Sequence, residues 1–142
     1  MAKSVLCALK NSGFKYGKLV ARNEKTGRTL ARQYGYEWLP KHEGLAADIL
    51  INVTPIGMAG APEERELAFT HAQIQTAHTV FDVVALPAET QLIQNARAAS
   101  KHVISGAEVI VLQAVEQFVL YTGVKPGPVD IEKAATFARA AT

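Results

Sequence analysis

Cysteine and clustered metal ligands are almost absent from this sequence. It contains a single cysteine, Cys7, which excludes an internal disulfide and leaves no thiol cluster for zinc. Cys7 falls in the apolar stretch 5–9, so we expect a small buried thiol. The four histidines, at positions 42, 71, 78 and 102, show no ligand spacing and fall in different predicted elements. The sequence therefore predicts no metal site.

A large net charge and a long apolar run are also missing. The 142 residues carry a formal net charge of +2, and the basic residues do not gather into one stripe. Bulk electrostatics thus gives no case for a nucleic-acid partner or a membrane surface. No apolar run approaches the ~20 residues needed to cross a bilayer, and residues 1–4 lack the apolar region of a signal peptide. We therefore expect a soluble, cytoplasmic protein.

Apolar residues make up 49% of the sequence, which is enough for the core of a single domain. Short apolar runs alternate with segments of helical spacing, and the charged residues 63–66 indicate a solvated loop or a helix start. Strands are predicted at 18–21, 36–39, 48–53, 79–84 and 102–104, and helices at 2–12, 25–34, 91–100, 107–121 and 130–141. Strands that are apolar on both faces indicate a parallel sheet covered by helices. The expected fold is a doubly wound, Rossmann-like α/β domain, which binds ligands beyond the carboxyl ends of its strands.

A basic residue, Arg22, follows the first predicted strand, with Asn23 next to it and Lys25 and Arg28 close by. In a dinucleotide fold an acidic residue at the end of the second strand binds the ribose of NAD, whereas a basic residue accommodates the 2′-phosphate of NADP. We therefore interpret Arg22 as a contact to the 2′-phosphate of NADP rather than as a surface arginine without a ligand.

The strand at 48–53 runs into a loop of unusual chemistry. Asn52 and Thr54 bracket the strand end, Pro55 fixes the backbone, and Gly57 permits a positive φ or a close approach. The two polar side chains are expected either to bond a cofactor or to fasten the loop. Asp82 lies inside the next strand, where a structural role is at least as well favoured as a catalytic one.

Four motifs at the strand ends together resemble the shikimate dehydrogenase family, including its quinate/shikimate and shikimate dehydrogenase-like branches. The segment NVTPIGM at 52–58 resembles the family loop Asn-x-Thr-x-x-Gly-Met, and ARN at 21–23 stands where the family often has Asn-Arg-Thr. FDVVALPAET at 81–90 resembles its strand and following loop. SGAEVIVLQAVEQFVLYTG at 105–123 is similar to its Asp-Gly-x-x-Met-Leu-x-x-Gln-Ala helix. The resemblance extends over nearly the whole chain.

This resemblance implies an NADP(H)-dependent oxidoreductase that interconverts 3-dehydroshikimate and shikimate, with NAD as a possible alternative cofactor. By position in the motifs, the site residues would contact three parts of the ligands. Arg22 and Asn23 would hold the 2′-phosphate, Asn52 and Thr54 would line the cofactor, Val83 and Gly106 would lie near the nicotinamide, and Gln113 would reach a shikimate-like substrate.

Several positions depart from the family pattern. Ala85 replaces a tyrosine that helps to bind substrate, Val109 replaces the methionine that faces the nicotinamide, and Ser105 replaces an aspartate. These departures favour the shikimate dehydrogenase-like branch and leave open whether shikimate, quinate or a relative is the substrate.

Other parts of the family pattern are missing. The resemblance implies an N-terminal domain with a catalytic Lys/Asp pair, a glycine-rich loop and a first strand, and none of these is found in residues 1–142. We therefore expect a fragment: a partial dinucleotide-binding domain with no catalytic residue of its own, weak cofactor binding and no activity alone. The absent strand is central in the order 3-2-1-4-5-6. Either the strands at 18–21 and 48–53 close up directly, or a second chain fills the gap and makes a homo-oligomer.

Two alternatives stay open. One is a non-catalytic binding or assembly module that oligomerises through its open sheet. The other is a different two-domain NADP enzyme of this fold, such as a methylene-tetrahydrofolate dehydrogenase or a glutamyl-tRNA reductase, against which the Gln113-Ala114 pair argues.

Overall fold

The computed structural model describes residues 1–140, with the side chains of 1–137. Strands and helices alternate through most of the chain, and each predicted element is present with its ends within two residues of the predicted positions. In chain order they are α1 (Ala2–Asn11), β1 (Lys18–Val20), α2 (Glu24–Tyr34), β2 (Glu37–Leu39), β3 (Ile49–Asn52), α3 (His71–Thr76), β4 (Thr79–Asp82), α4 (Gln91–Ala98), β5 (His102–Ile104), α5 (Gly106–Thr122) and α6 (Pro128–Ala140).

The strands form two small parallel sheets. β1 pairs with β2, with Leu19 opposite Trp38, and β3, β4 and β5 form the second sheet, with Leu50 opposite Val80 and Val80 opposite Val103. The predicted α/β class with parallel strands and flanking helices is confirmed. The predicted direct closure of β1 onto β3 is wrong, because these strands are edges of different sheets. Each keeps a pairing edge that its own sheet does not use.

Most of the buried core lies around β3, β4 and β5. Ile74 of α3 and Leu92 and Ala96 of α4 pack with Leu50 and Val80 of the strands into one apolar cluster. Val80 and Ile93 have no exposed surface. This end of the molecule is a close-packed layer of helices on a three-stranded sheet, and it holds the loops that follow β3 and β4 in place.

Helix ends in this structure are fixed by side-chain caps. The Asn23 side chain accepts a hydrogen bond from the Thr26 amide at the start of α2, and Gly35 ends that helix at φ +79°. Ser105 and Glu108 form a reciprocal capping box at the start of α5. Because a good cap contributes about 1 kcal/mol, these residues set where each helix begins relative to the strand before it.

One element was not predicted. Helix α3 begins with a second capping box, in which the Thr70 side chain accepts from the Gln73 amide and the Gln73 side chain accepts from the Thr70 amide. Gln73 is buried, and its Nε2 also donates to the carbonyls of His42 and Leu45, at 2.6 and 3.2 Å. The spacing Thr-x-x-Gln was the sequence signal for this helix.

The expectation for Cys7 is also wrong. Cys7 is exposed, because α1 turns Leu6 toward the interior and leaves its neighbour on the outer face. The Cys7 sulfur accepts a long hydrogen bond of 3.6 Å from Asn11 one turn later. Among the described helices, none is both long and apolar enough to span a membrane.

Candidate functional site

A cavity of about 430 Å³ lies between the two sheets. Its walls come from α1, from β1 and the residues after it, and from β3 and the loop after it. They include Leu6, Leu19, Val20 and Ile51 in the interior, and Arg22, Asn52, Thr54 and Glu63 where the strands end. The carboxyl ends of β1 and β3 thus open at the same end of one cavity, the location at which this class of fold binds ligands.

Arg22 stands at the mouth of this cavity. Its guanidinium lies 3.4 Å from a Glu63 carboxylate oxygen, and its side chain is 81% exposed, whereas that of Glu63 is 23% exposed. Glu63 is itself fixed, because its carbonyl accepts a 3.0 Å hydrogen bond from the Gly57 amide in the loop after β3. The pair therefore links the end of β1 to the β3 loop. An exposed pair of this kind contributes less than about 1 kcal/mol, so the guanidinium is readily released to an anion.

Asn23 adjoins Arg22 but uses its side-chain oxygen for the 2.9 Å cap of α2. The side chain is exposed, so its amide group can still donate to a ligand. The next acidic residue, Glu24, is paired with Arg28 at 2.8 Å one turn along the helix. The start of α2 therefore offers donors, and its one carboxylate in the first turn is already partnered.

Asn52 is buried and satisfies all of its side-chain hydrogen-bonding groups within the protein. Its Nδ2 donates to the Ile56 carbonyl at 3.1 Å and to Asp82 Oδ1 at 3.0 Å. Its Oδ1 accepts from the Thr54 amide at 3.0 Å and from Thr54 Oγ1 at 2.7 Å. Of the two roles considered for Asn52, the geometry favours fastening the loop, since no donor or acceptor is left over. Contact between this residue and a cofactor stays a prediction.

Thr54 lies inside the same loop. Its hydroxyl donates to Asn52 and accepts a 3.2 Å bond from the Ile56 amide. Gly57, two residues after Pro55, has a φ of +87°, which a side chain rarely tolerates. The loop is therefore rigid before any ligand arrives, and Thr54 faces the cavity as part of a fixed surface.

Asp82 joins this loop to the neighbouring strand. Its carboxylate has no exposed surface and accepts from Asn52, from the Val84 amide at 3.1 Å and from Thr90 Oγ1 at 2.7 Å. Burial raises the pKa of this carboxyl above the usual 3.8, and the three hydrogen bonds oppose that shift only in part. With every bond directed to the protein, the arrangement supports the structural role for Asp82.

Val83 and Gly106 meet behind this network. A side chain at position 106 would collide with the carbonyl oxygens of Val83 and Val84. Only glycine allows α5 to begin this close to the chain after β4. At the same helix start, the backbone hydrogen bond from Ser105 lowers the pKa of the Glu108 carboxyl. The structure thus brings together the two residues that were predicted near a nicotinamide.

Gln113 lies apart from the cavity. It is exposed near the middle of α5 and makes no hydrogen bond to another described residue. Several apolar side chains of the same helix are exposed as well: Ile110 at 54%, Leu112 at 64% and Leu120 at 78%. The predicted role of Gln113 in binding substrate is not tested by any contact inside this chain.

The structure therefore brings some of the predicted site residues together and leaves others apart. Arg22, Asn52 and Thr54 line one cavity, Val83 and Gly106 touch at a neighbouring strand end, and Asn23 and Gln113 do not line the cavity. Sequence reasoning missed Glu63, whose partnership with Arg22 spans 41 positions and leaves no local pattern. It also missed Thr90, which caps α4 and bonds Asp82; a threonine directly before an apolar helix was the available signal.

No family model matches this chain. Individual relatives do. The chain is 56% identical over 139 residues to a shikimate dehydrogenase-like protein of Haemophilus influenzae, covering 98% of this chain and 51% of that relative. It is 43% identical over 86 residues to a shikimate dehydrogenase (NADP(+)) of Methanocella arvoryzae, covering 61% of this chain and 30% of that relative.

Solved structures agree with these relatives. A shikimate 5-dehydrogenase-like protein superposes with a TM-score of 0.95 at 56% identity, over 98% of this chain and 52% of that one. A quinate dehydrogenase from Corynebacterium glutamicum, in complex with NAD, superposes with a TM-score of 0.79 at 26% identity, over 96% of this chain and 51% of that one. The chain spans about half the length of each protein whose structure it matches.

Proposed function

Because this chain is homologous over nearly its whole length to one half of the shikimate dehydrogenase-like proteins, we propose that it is the cofactor-binding part of such an oxidoreductase. Its cofactor is NADP(H), and the reaction of the complete enzyme interconverts 3-dehydroshikimate and shikimate. The bound cofactor would supply or accept the hydride, and the residues of this chain would bind and orient it.

One observation carries the choice of NADP over NAD: the exposed guanidinium of Arg22 at the end of β1. A 2′-phosphate needs a cation and hydrogen-bond donors at this point, whereas a ribose diol needs an acidic acceptor. The first carboxylate of α2, Glu24, is held by Arg28. The donor set that remains, Arg22 with the amide group of Asn23, fits a phosphate.

Glu63 would compete with that phosphate for Arg22. Their 3.4 Å pair must open before Arg22 can make a bidentate contact with a phosphate. The competition is weak, because an exposed ion pair is worth about 0.2–1 kcal/mol. Glu63 therefore lowers NADPH affinity modestly and leaves NADH affinity unchanged.

Fluorescence titration of the 142-residue chain with NADPH and with NADH tests this assignment. Arg22→Ala is expected to weaken NADPH binding about tenfold, since a hydrogen bond to a charged group contributes roughly 1.5–3 kcal/mol and 1.4 kcal/mol is a factor of ten. Glu63→Gln is expected to strengthen NADPH binding about two- to fivefold. Arg32→Ala is the matched control, because Arg32 is an exposed arginine in the last turn of α2, the helix that follows Arg22.

NADH affinity should be the same in all four proteins. Equal NADPH affinity for wild type and Arg22→Ala would rule out a contact between Arg22 and the 2′-phosphate. A fall in both cofactors' affinities would instead indicate that Arg22 supports the loop through Glu63.

Turnover is a separate part of the proposal. The resemblance to the family implies that the catalytic Lys/Asp pair belongs to a separate N-terminal domain, Glu63 at the cavity mouth is paired with Arg22, and Asp82 is sealed behind Asn52 and Thr90. We therefore expect no oxidation of shikimate by NADP+ with the 142-residue chain alone. Measurable production of NADPH in that assay would contradict the view that the catalytic residues lie outside this chain.

The open strand edges favour one other function. A module that assembles with further copies through β1 and β3 would need no cofactor. NADPH binding that weakens in Arg22→Ala as described above, together with sedimentation of the chain as a monomer, would argue against it.

A further inference from the structure

The loop after β2 lines the same cavity as Arg22. Its first residues, Pro40, Lys41 and His42, follow the carboxyl end of β2 and form part of the cavity wall. We propose that Lys41 is a second cation for the 2′-phosphate of NADP(H), and that it sets the preference for NADP over NAD together with Arg22. This inference rests on the proposed function, because it names a further residue of the same phosphate site.

The register of the first sheet brings Lys41 next to Arg22. Val20 lies opposite Leu39, and the Ala21 amide donates to the Leu39 carbonyl at 3.4 Å, so the pairing continues past the last residue of β1. Arg22 and Lys41 follow these partners at equal distances along the chain. Because neighbouring strands are about 4.8 Å apart, the two cations leave adjacent strand ends, and both line the cavity.

The segment directly after Lys41 is a tight turn. The Leu45 amide donates to the His42 carbonyl at 3.1 Å, and Gly44 inside the turn has a φ of +74°. A glycine with positive φ at the third position is typical of a type II turn. The backbone that follows Lys41 therefore has a fixed shape before any ligand binds.

A buried side chain of α3 holds this turn in place. Gln73 Nε2 donates to the carbonyls of His42 and Leu45, which are the two ends of the turn. The Gln73 Oε1 lies 3.1 Å from His42 Nδ1. Because both hydrogens of the Gln73 amide group bond to carbonyls, its oxygen is the acceptor and His42 Nδ1 carries the proton. The main chain and the ring of His42 are thus both tied to α3, and Lys41 is held at the cavity wall.

The charges at the cavity favour a second cation for a bound phosphate. A phosphate monoester carries about −1.5 to −2 charges at neutral pH, whereas the guanidinium of Arg22 is shared with Glu63. Two further carboxylates, those of Glu43 and Glu66, line the same cavity. Lys41 is exposed and forms no ion pair with any residue whose side chain is described. Its ammonium group is therefore available to the phosphate.

The other lysines near the cavity are placed less well. Lys18 lines it, but Lys18 begins β1 and stands about 13 Å before Arg22 along an extended chain. Lys25 lies in the first turn of α2 and is not among the residues that line the cavity. Lys41 is therefore the lysine that the fold places beside Arg22 at the carboxyl end of this sheet.

NMR titration of the amides of the 142-residue chain with adenosine 2′-monophosphate tests the inference. This probe carries the 2′-phosphate without the rest of the dinucleotide, and NMR measures weak binding. The amide signals of Arg22 and Lys41 should shift in the wild type. Lys41→Met keeps the length of the side chain but removes its charge, and it should weaken binding about three- to tenfold. The affinity for adenosine, which lacks the phosphate, should not change.

The controls separate a phosphate contact from a general loss of positive charge. Lys10→Met removes the same charge from an exposed position in α1 that does not line the cavity, and it should leave the affinity unchanged. Lys41→Arg keeps the charge and should retain most of the wild-type affinity. Adenosine 5′-monophosphate has the same charge at another position, so Lys41→Met should weaken its binding much less.

Arg22→Ala, titrated in the same way, separates this inference from the proposed function. Weaker binding in Arg22→Ala with unchanged binding in Lys41→Met would overturn the inference and leave the proposed function in place. Weaker binding in Lys41→Met alone would support the inference and contradict the role of Arg22. Equal losses of the 2′ and 5′ isomers in Lys41→Met would overturn the inference, and so would the absence of any shift at Lys41 at every soluble concentration of the probe.

Discussion

The two sheets of this molecule differ in how many buried apolar residues pack around them. Around β3, β4 and β5, the apolar residues Leu50, Ile74, Val80, Leu92 and Ala96 are all less than 9% exposed. Around β1 and β2, the buried apolar residues within the described part of the chain are Leu6 of α1 and Ala31 of α2. The strands of this second unit are only half-buried or exposed.

This difference indicates which part of the domain is self-sufficient. The β3–β4–β5 unit has its own packed core and a satisfied polar network, so its stability is internal. In the β1–β2 unit, α2 packs on both strands and α1 packs on α2, while the unit borders the cavity and makes the exposed Arg22–Glu63 pair. Its local stability is therefore expected to be lower.

The largest predicted effect concerns the core of the β3–β4–β5 unit. Ile74 is 1% exposed, and Ile74→Ala should lower the free energy of unfolding by about 2–5 kcal/mol, because it removes buried methyl groups and leaves a cavity. Leu30→Ala in α2, where the side chain is half-buried, is the matched change in the other unit and should cost about half as much or less.

Urea unfolding followed by two probes measures this comparison. Trp38 is the chain's one tryptophan and lies in β2, so its fluorescence reports on the β1–β2 unit, whereas far-ultraviolet circular dichroism reports on all helices. The fluorescence transition of the wild type should come at lower urea. Coincident transitions in every variant would mean that the two units unfold as one cooperative body.

The next largest predicted effect on stability concerns the hydrogen-bond network of Asn52, Asp82 and Thr90. Thr90 is 1% exposed and its hydroxyl both donates to Asp82 and caps α4. Thr90→Val keeps the shape but removes these bonds and should cost about 1–3 kcal/mol near neutral pH. Asp82 titrates above its usual value because burial disfavours its charge, and the bond from Thr90 lowers that pKa. Removing the bond raises the pKa of Asp82 further.

The pH dependence of that cost has a definite sign. A carboxyl whose pKa is raised in the folded state contributes stability that is fully present below the unfolded value of 3.8 and is lost as the pH rises through its folded pKa. The loss is larger in Thr90→Val, so the destabilisation should grow from acidic to neutral pH. Urea unfolding at several pH values checks this, with Thr76→Val, whose hydroxyl bonds only the Gln73 carbonyl in the same helix, as the control. A cost independent of pH would mean that Thr90 acts through the helix cap alone.

Local patterns were enough to predict most of the fold. The alternation of apolar runs and helices indicated the parallel α/β class. A glycine directly after a helical segment is a general sequence signal for its end, and Gly35 and Gly123 end α2 and α5 in the left-handed conformation. Helix α3 was missed because its six residues are too few to show a period, although its capping box was visible in the sequence.

The site was less predictable than the fold because its interactions are long-range. Arg22 at the end of β1 indicated a phosphate contact, which stays a prediction, but nothing in the local sequence indicated its partner Glu63. Asn52 and Thr54 were recognised as unusual, yet only the folded structure shows that Asn52 bonds inward to Asp82 and Thr54. The distance between β1 and β3 likewise depends on tertiary packing, and so the predicted closure of these strands was wrong.

The smallest predicted effect concerns a surface contact that supports the weaker unit. The Arg28 guanidinium lies 4.4 Å from the centre of the Trp38 ring and also pairs with Glu24. Arg28→Ala should lower the stability of the β1–β2 unit by about 0.5–1 kcal/mol, the range for an exposed cation–π contact. Arg28→Lys keeps the charge and the pairing with Glu24 but loses the planar stacking, so it should recover part of the loss. The midpoint of the Trp38 fluorescence transition should move to lower urea. The midpoint of the circular-dichroism transition should stay in place. An equal shift of both transitions would show that the two units are coupled more tightly than their separate burial indicates.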